Sequence, residues 1–247
     1  MTVIVGVLCK DGVVVGADSA VTFTAGQVRT IEQTTQKIEI IDDRVIVAGT
    51  GAVGMGQRFK AVVEKAWYQK VFQHGPIESG KALSAEAIKD FQSTAAPTNQ
   101  FGALVAFPCK ADPQLCEFDI GHFQPELKTN KLWYVSMGSG QSITDPFLGF
   151  IRKVFWHEGP PAHQDAVFAV TWAIQQAIDL NTGGVNGPIQ LAILTRNKKG
   201  DLSARLLSED ELAEHRVNVD GAVGHLRQYA EVVRGARAEM APEIPKP

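Results

Sequence analysis

The chain has 247 residues, 45% of them apolar, and a formal net charge of −3. That is enough for one large domain with a full core and short for two. It leaves no basic stripe to hold a nucleic-acid backbone, and no apolar run reaches the roughly 20 residues of a membrane-spanning helix.

Lys10 and Asp11 cut short the apolar run near the N-terminus, so it does not read as a secretory signal. Three cysteines, an odd number, suit a reducing compartment better than a disulfide framework. A cytoplasmic location is expected.

Residues 2–9 (TVIVGVLC) and 13–18 (VVVGAD) are β-rich runs joined by Lys10-Asp11-Gly12. Asp-Gly between such runs signals a hairpin, because both residues tolerate positive φ. A second pair follows at 37–42 (KIEIID) and 44–50 (RVIVAGT), turning at Asp42-Asp43. These runs are almost continuously apolar, as expected of strands covered on both faces. From GTGAVGMG to about Phe72, Phe59, Val62, Val63, Ala66, Trp67 and Val71 keep helical spacing. Ser84 is the expected N-cap of a second helix running to about Ala95, ahead of Pro97.

Strands are expected at 101–108, 116–120 and 131–136, with Cys109 and Cys116 flanking a hairpin loop, KADPQL. Two thiols without a second pair are a poor zinc signal. The six histidines are scattered, so no metal and no cofactor are assigned. Helices at about 143–157 and 163–180 flank a Gly-Pro-Pro turn, and the second stops at Asn181-Thr182-Gly183-Gly184. Strands 188–195 and 202–207 form a last hairpin. Ser208, followed by Glu209, Asp210 and Glu211, is a good helix start. Beyond Asp220, the stripe Ala222, Leu226, Tyr229, Val233 suggests a further amphipathic helix that packs on its own subunit or joins neighbours. Strands grouped in hairpins and helices grouped in pairs favour an α+β fold, with antiparallel sheets between outer helices.

The candidate chemistry begins at Thr2, directly behind Met1. Removal of Met1 would leave a threonine amine, whose reference pKa of roughly 7.7–8.0 makes it a base on the same residue as the hydroxyl. A buried lysine nearby would lower the amine and hydroxyl pKa values and carry a proton, and an aspartate would hold that lysine. A backbone N–H in a glycine turn at a helix start is a ready oxyanion donor. Asp18, Lys37 and Gly51 supply these parts. Each alone reads as an ordinary turn former, a solvated strand-edge lysine and a helix entry.

Together, TVIVGVLCKDGVVVGADSAVT, QKIEII, VIVAGTGAVG, WYVSMGSG and AIDLNTGG resemble the proteasome β-subunit family of N-terminal nucleophile hydrolases. They are also similar to the peptidase of the bacterial heat-shock two-component protease, and most of all to bacterial stand-alone homologues such as the betaproteobacterial proteasome homologue. The resemblance implies a four-layer αββα sandwich over 1–207, with 208–247 as a C-terminal helical extension packing on it.

It further implies a threonine endopeptidase with Thr2 as nucleophile, Lys37 as proton carrier, Asp18 as its orienter and the Gly51 N–H as oxyanion donor. Ser139, Asp179 and Thr182 would support the threonine amine, Thr182 standing where the family usually has serine. Thr22 would pair with the substrate backbone. Val21, Thr35, Glu39, Gly49, Val53 and Gln57 would line the pocket for the residue before the scissile bond. Gly49 would make that pocket deep, and Glu39 would favour a basic or polar side chain there, unless it is simply solvated.

The implied partners are further copies of the chain in stacked rings (a tetradecamer, with a dodecamer as alternative), a peptide or unfolded-protein substrate, and an unfolding ATPase. Phe59, Trp67, Val71, Phe147, Ile151 and Phe155 are the apolar helix residues offered for assembly. Two other readings stay open: a non-catalytic ring subunit, and an N-terminal nucleophile amidohydrolase acting on a small amide.

Overall fold

The computed structural model describes residues 2–25, 28–180 and 184–235. Two five-stranded antiparallel sheets lie between helix layers. The first sheet runs in the order β10 (Tyr134–Gly138), β1 (Val3–Leu8), β2 (Gly12–Ala17), β11 (Gln190–Arg196), β12 (Leu202–Leu206). The second runs β5 (Ile38–Ile41), β6 (Val45–Gly51), β7 (Phe101–Cys109), β8 (Asp112–Phe118), β9 (Pro125–Leu127). Helices α3 (Gln141–Val154) and α4 (His163–Leu180) cover the first sheet, and α1 (Val53–Tyr68) and α2 (Pro76–Gln92) cover the second. This is the α+β sandwich expected of the chain.

Three cores follow from strand alternation. Val3, Val5 and Val7 of β1 point toward α3 and α4, and Ile4 points toward the other sheet. On β2, Val14 joins the helix side, whereas Val13, Val15 and Ala17 join the inter-sheet core. Both faces are buried, which is why these runs carry no polar alternation. Gly16 marks the closest helix approach: a Cβ there would meet Val170 Cγ1 at 2.5 Å. The outer core under α1 and α2 is aromatic: Phe123 is in ring contact with Phe59, Phe91, Phe101 and Phe118.

Several elements differ from expectation. Residues between Ser19 and Lys37 form a separate hairpin, β3 (Ala20–Ala25) with β4 (Val28–Thr34). Helix α2 starts at Pro76 behind Gly75, whose φ is 139°, so Ser84 is no N-cap. It is buried mid-helix, and its hydroxyl donates to the Phe123 carbonyl at 2.7 Å. The β7–β8 hairpin turns tightly at Lys110-Ala111, with Cys109 opposite Asp112. All three thiols are buried. Desolvation pushes Cys116 up to about 12 and raises Cys9 and Cys109 as well.

Among the described residues the C-terminal segment forms a single helix, α5 (Glu209–Val233), opened by a capping box between Ser208 and Glu211. It runs through Gly221 and Gly224 without a break. Leu212 and Val219 are buried against the α4 side, whereas Leu226, Tyr229 and Val233 are exposed.

Candidate active site

Four chain segments converge on Thr2. Strand β1 begins one residue after it, and its partner β2 ends at Ala17, which delivers Asp18 beside the same strand end. The segment entering β5 brings Lys37, and β10 ends in the turn Gly138-Ser139-Gly140. That turn wraps the Thr2 backbone: Thr2 N donates to Ser139 Oγ at 3.0 Å, and Gly140 N donates to the Thr2 carbonyl at 3.2 Å. Gly138 has φ 96°, and a Cβ there would sit 2.3 Å from the Thr2 carbonyl oxygen. Only glycine allows this approach.

Asp18 is fully buried, with a carboxylate ringed by donors. Oδ1 accepts from Val3 N (2.9 Å) and Lys37 Nζ (2.7 Å), and Oδ2 accepts from Ala20 N (3.1 Å) and Asn186 N (3.3 Å). The Lys37 side chain is only 5% exposed, and its Nζ lies 3.1 Å from Thr2 Oγ1. Burial pulls the Lys37 ammonium below the usual lysine range, and the Asp18 charge opposes that pull. The lysine is thus held against the hydroxyl with its neutral form more accessible than in water.

Beside Thr2 opens a cavity of about 540 Å³. Val21, Thr22, Thr35, Glu39, Gly49, Val53 and Gln57 all line it, with Thr2, Lys37 and Gly51. Gly51 has φ 106°, and a Cβ on it would meet the Gln100 carbonyl oxygen at 2.1 Å. The depth expected from Gly49 is bounded by another side chain: a Cβ there would meet Phe101 Cε2 at 2.7 Å, so the Phe101 ring occupies the space behind it. Glu39 is not a freely solvated carboxylate, since its Oε2 lies 2.8 Å from Lys60 Nζ. Asp179 is exposed in the last turn of α4, accepting from Gln175 Nε2 at 2.7 Å. Thr182 lies outside the described residues.

A proteasome subunit family model matches residues 2–186, all four converging segments included. The chain belongs to the proteasome subunit family. Among solved structures, the Anbu (Gly-1) mutant from Hyphomicrobium sp. strain MC1 superposes with a TM-score of 0.71 at 16% identity, covering 94% of this chain and 97% of that one. Anbu (ancestral beta-subunit) from Yersinia bercovieri gives 0.67 at 14% identity, with 92% and 97% covered. At such identities the likeness speaks for the fold. No curated protein sequence matches the chain.

Two supporting residues escaped the sequence reading. Gln190, opening β11, accepts from Lys37 N (2.9 Å) and donates to Ser19 Oγ (2.7 Å) and the Thr35 carbonyl (2.7 Å). The Asn186 carbonyl accepts from Ser19 N at 3.0 Å, while its own N–H reaches Asp18. Residues 186–190 thereby buckle the Asp18 and Lys37 segments together. A polar pair ahead of a buried strand was the only signal. Among the described residues no cluster of three or more His, Cys, Asp or Glu could hold a metal, and no helix is long and apolar enough to cross a membrane.

Proposed function

We propose that this proteasome-family chain is a threonine endopeptidase subunit, with Thr2 as nucleophile once Met1 is removed. The observation that carries the reading is the contact chain Thr2 Oγ1, Lys37 Nζ, Asp18 Oδ1, at 3.1 and 2.7 Å. A lysine aimed at a threonine hydroxyl, desolvated, and anchored by a saturated carboxylate is an activated nucleophile rather than a structural pair.

In the reaction, neutral Lys37 takes the proton from Oγ1 as that oxygen attacks the substrate carbonyl carbon. The oxyanion is met by the Gly51 N–H, preset at the strand end with no reorganisation needed. The C–N bond then breaks, the leaving amine takes the proton, and an ester remains on Thr2. Water hydrolyses that ester with the same groups relaying the proton in reverse. Ser139 holds the Thr2 backbone throughout, and the support given to Asp179 and Thr182 by the resemblance would require Asp179 to exchange its Gln175 contact for the free amine. The substrate strand adds alongside Thr22, and its side chain enters the cavity lined by Val21, Thr35, Glu39, Gly49, Val53 and Gln57. Further copies of the chain enclose the site in a ring, and substrates arrive as peptides or unfolded chains.

Thr2→Ala is expected to abolish hydrolysis of fluorogenic peptides while leaving the melting temperature nearly unchanged. A peptide boronate should add its mass to Thr2 in the parent protein. Normal turnover by Thr2→Ala, or no turnover by the processed parent, favours instead a scaffold subunit or an amidohydrolase.

A further inference from the structure

We infer that Lys60 sets the side-chain class accepted by the cavity: by pairing with Glu39 it leaves the pocket without an unpaired negative charge and closes it to basic residues. This deepens the reading of the cavity as a peptide subsite and rests on it.

The argument begins with α1. Val53, Gly56, Gln57 and Lys60 recur at i, i+3, i+4 and i+7, so one stripe of the helix faces the cavity. Across from it, Glu39 alternates with the buried Ile38 on β5 and therefore points out of the inter-sheet core toward the same space. The charged residues lining the cavity, among those described, are Lys37, Glu39 and Lys60. Lys37 is tied to Asp18, and Glu39 to Lys60, so each charge has its counterion.

Glu39 by itself would be a cation-selecting group, because a carboxylate in a partly desolvated cleft pairs with a substrate ammonium or guanidinium. The chain's own lysine already occupies that role. What remains for a substrate carries no unpaired charge: the apolar side chains of Val21, Val47, Val53 and Phe101 beside the neutral polar ones of Thr22, Thr35, Gln36 and Gln57. The pair is 37% and 40% exposed, so it contributes little to stability. Its consequence lies in the charge of the pocket, and removing Lys60 should leave the fold intact.

The test compares kcat/KM for fluorogenic peptides that end in leucine or arginine before the cleaved bond. The parent should prefer leucine by at least ~tenfold, about 1.4 kcal/mol of discrimination. Lys60→Ala should lower the leucine-to-arginine ratio by at least ~tenfold. Adding Glu39→Gln to Lys60→Ala should restore it. A parent that prefers arginine, a ratio unmoved in Lys60→Ala, or a ratio still altered in the double variant overturns the inference.

Binding keeps this separate from the nucleophile. Capped peptide amides ending in leucine or arginine are titrated by fluorescence anisotropy against Thr2→Ala protein, with and without Lys60→Ala. The same ordering is expected there without chemistry. Ordered binding with no turnover by the parent would sink the Thr2 reading and leave the pocket assignment standing. Absent or unordered binding would sink the pocket assignment.

Discussion

Burial draws the Lys37 ammonium down while Asp18 holds it up, and this opposition sets the pH behaviour expected of the site. The lysine accepts a proton only when neutral, so kcat/KM should rise with pH through its titration. That limb should lie below the free-lysine range near ~10.4. Asp18→Asn removes the opposing charge, so the limb should move to lower pH while the plateau rate falls by orders of magnitude, because Nζ loses its anchor. A pH–rate profile of parent and variant checks both; a limb that stays in place or moves upward contradicts the role given to Lys37. Gly51 is constrained for a different reason. With φ at 106° and no room for a Cβ before the Gln100 carbonyl, Gly51→Ala should strain the strand end by about 1–3 kcal/mol. Thermal melting should show that loss, and, on the oxyanion role proposed for its N–H, turnover should fall further than stability. Cys9 is no rival nucleophile: it is buried, and its thiol pKa is pushed far above the usual range by desolvation and nearby Asp11.

At the level of elements, the entry to β11 reaches across the fold to fix the entry to β5. The Gln190 side chain grips Lys37 N, Thr35 O and Ser19 Oγ together. Gln190→Leu should therefore cut kcat by about 10²-fold, as displacements of ~1 Å at reacting groups do, while KM changes little. A parallel rise in KM, or loss of the folded signal in circular dichroism, would reassign Gln190 to general structure. Helix α2 carries a comparable tie far from the site. Ser84→Ala would leave the buried Phe123 carbonyl without its donor, and a denaturant titration should show about 1–3 kcal/mol lost with peptidase activity retained.

For the whole molecule, the open question is how the exposed apolar surface is covered. Phe59 and Ile151, offered from the sequence as assembly residues, belong to the two outer cores. Phe155, also offered from the sequence, is exposed just past the end of α3, next to the exposed Phe150 and Val154 on that helix, and α5 adds Leu226, Tyr229 and Val233. Phe150 and Val154, four apart, share one helix face. If rings form through this layer, light scattering of the parent should give a mass near a tetradecamer or dodecamer. Phe150→Glu with Val154→Glu should reduce it to smaller species without lowering the melting temperature, since neither residue is buried. A monomeric parent would remove the enclosure from the proposed function.

What the sequence determined by itself is local in origin. Continuous apolar runs at 2–9 and 44–50 announced strands covered on both faces, helical spacing from Phe59 to Ala66 announced α1, and Ser208 with its acids announced the capping box of α5. The residues named for the cavity were legible because they fall within a few short ordered stretches that resemble one family. The tertiary structure decided whatever depends on partners distant in the chain. Gln190 meets Lys37 across 153 positions, and Asn186 meets Asp18 across 168, distances over which no periodicity carries information. Ser84 read as a cap because a serine before an apolar stripe usually is one; here Pro76 starts the helix two turns earlier and the hydroxyl serves Phe123 instead. Glu39 changed from an open carboxylate to a neutralised one only when α1 laid Lys60 against β5. Residue type and spacing fix which groups are available, but charge balance and reach are properties of side chains brought together by packing.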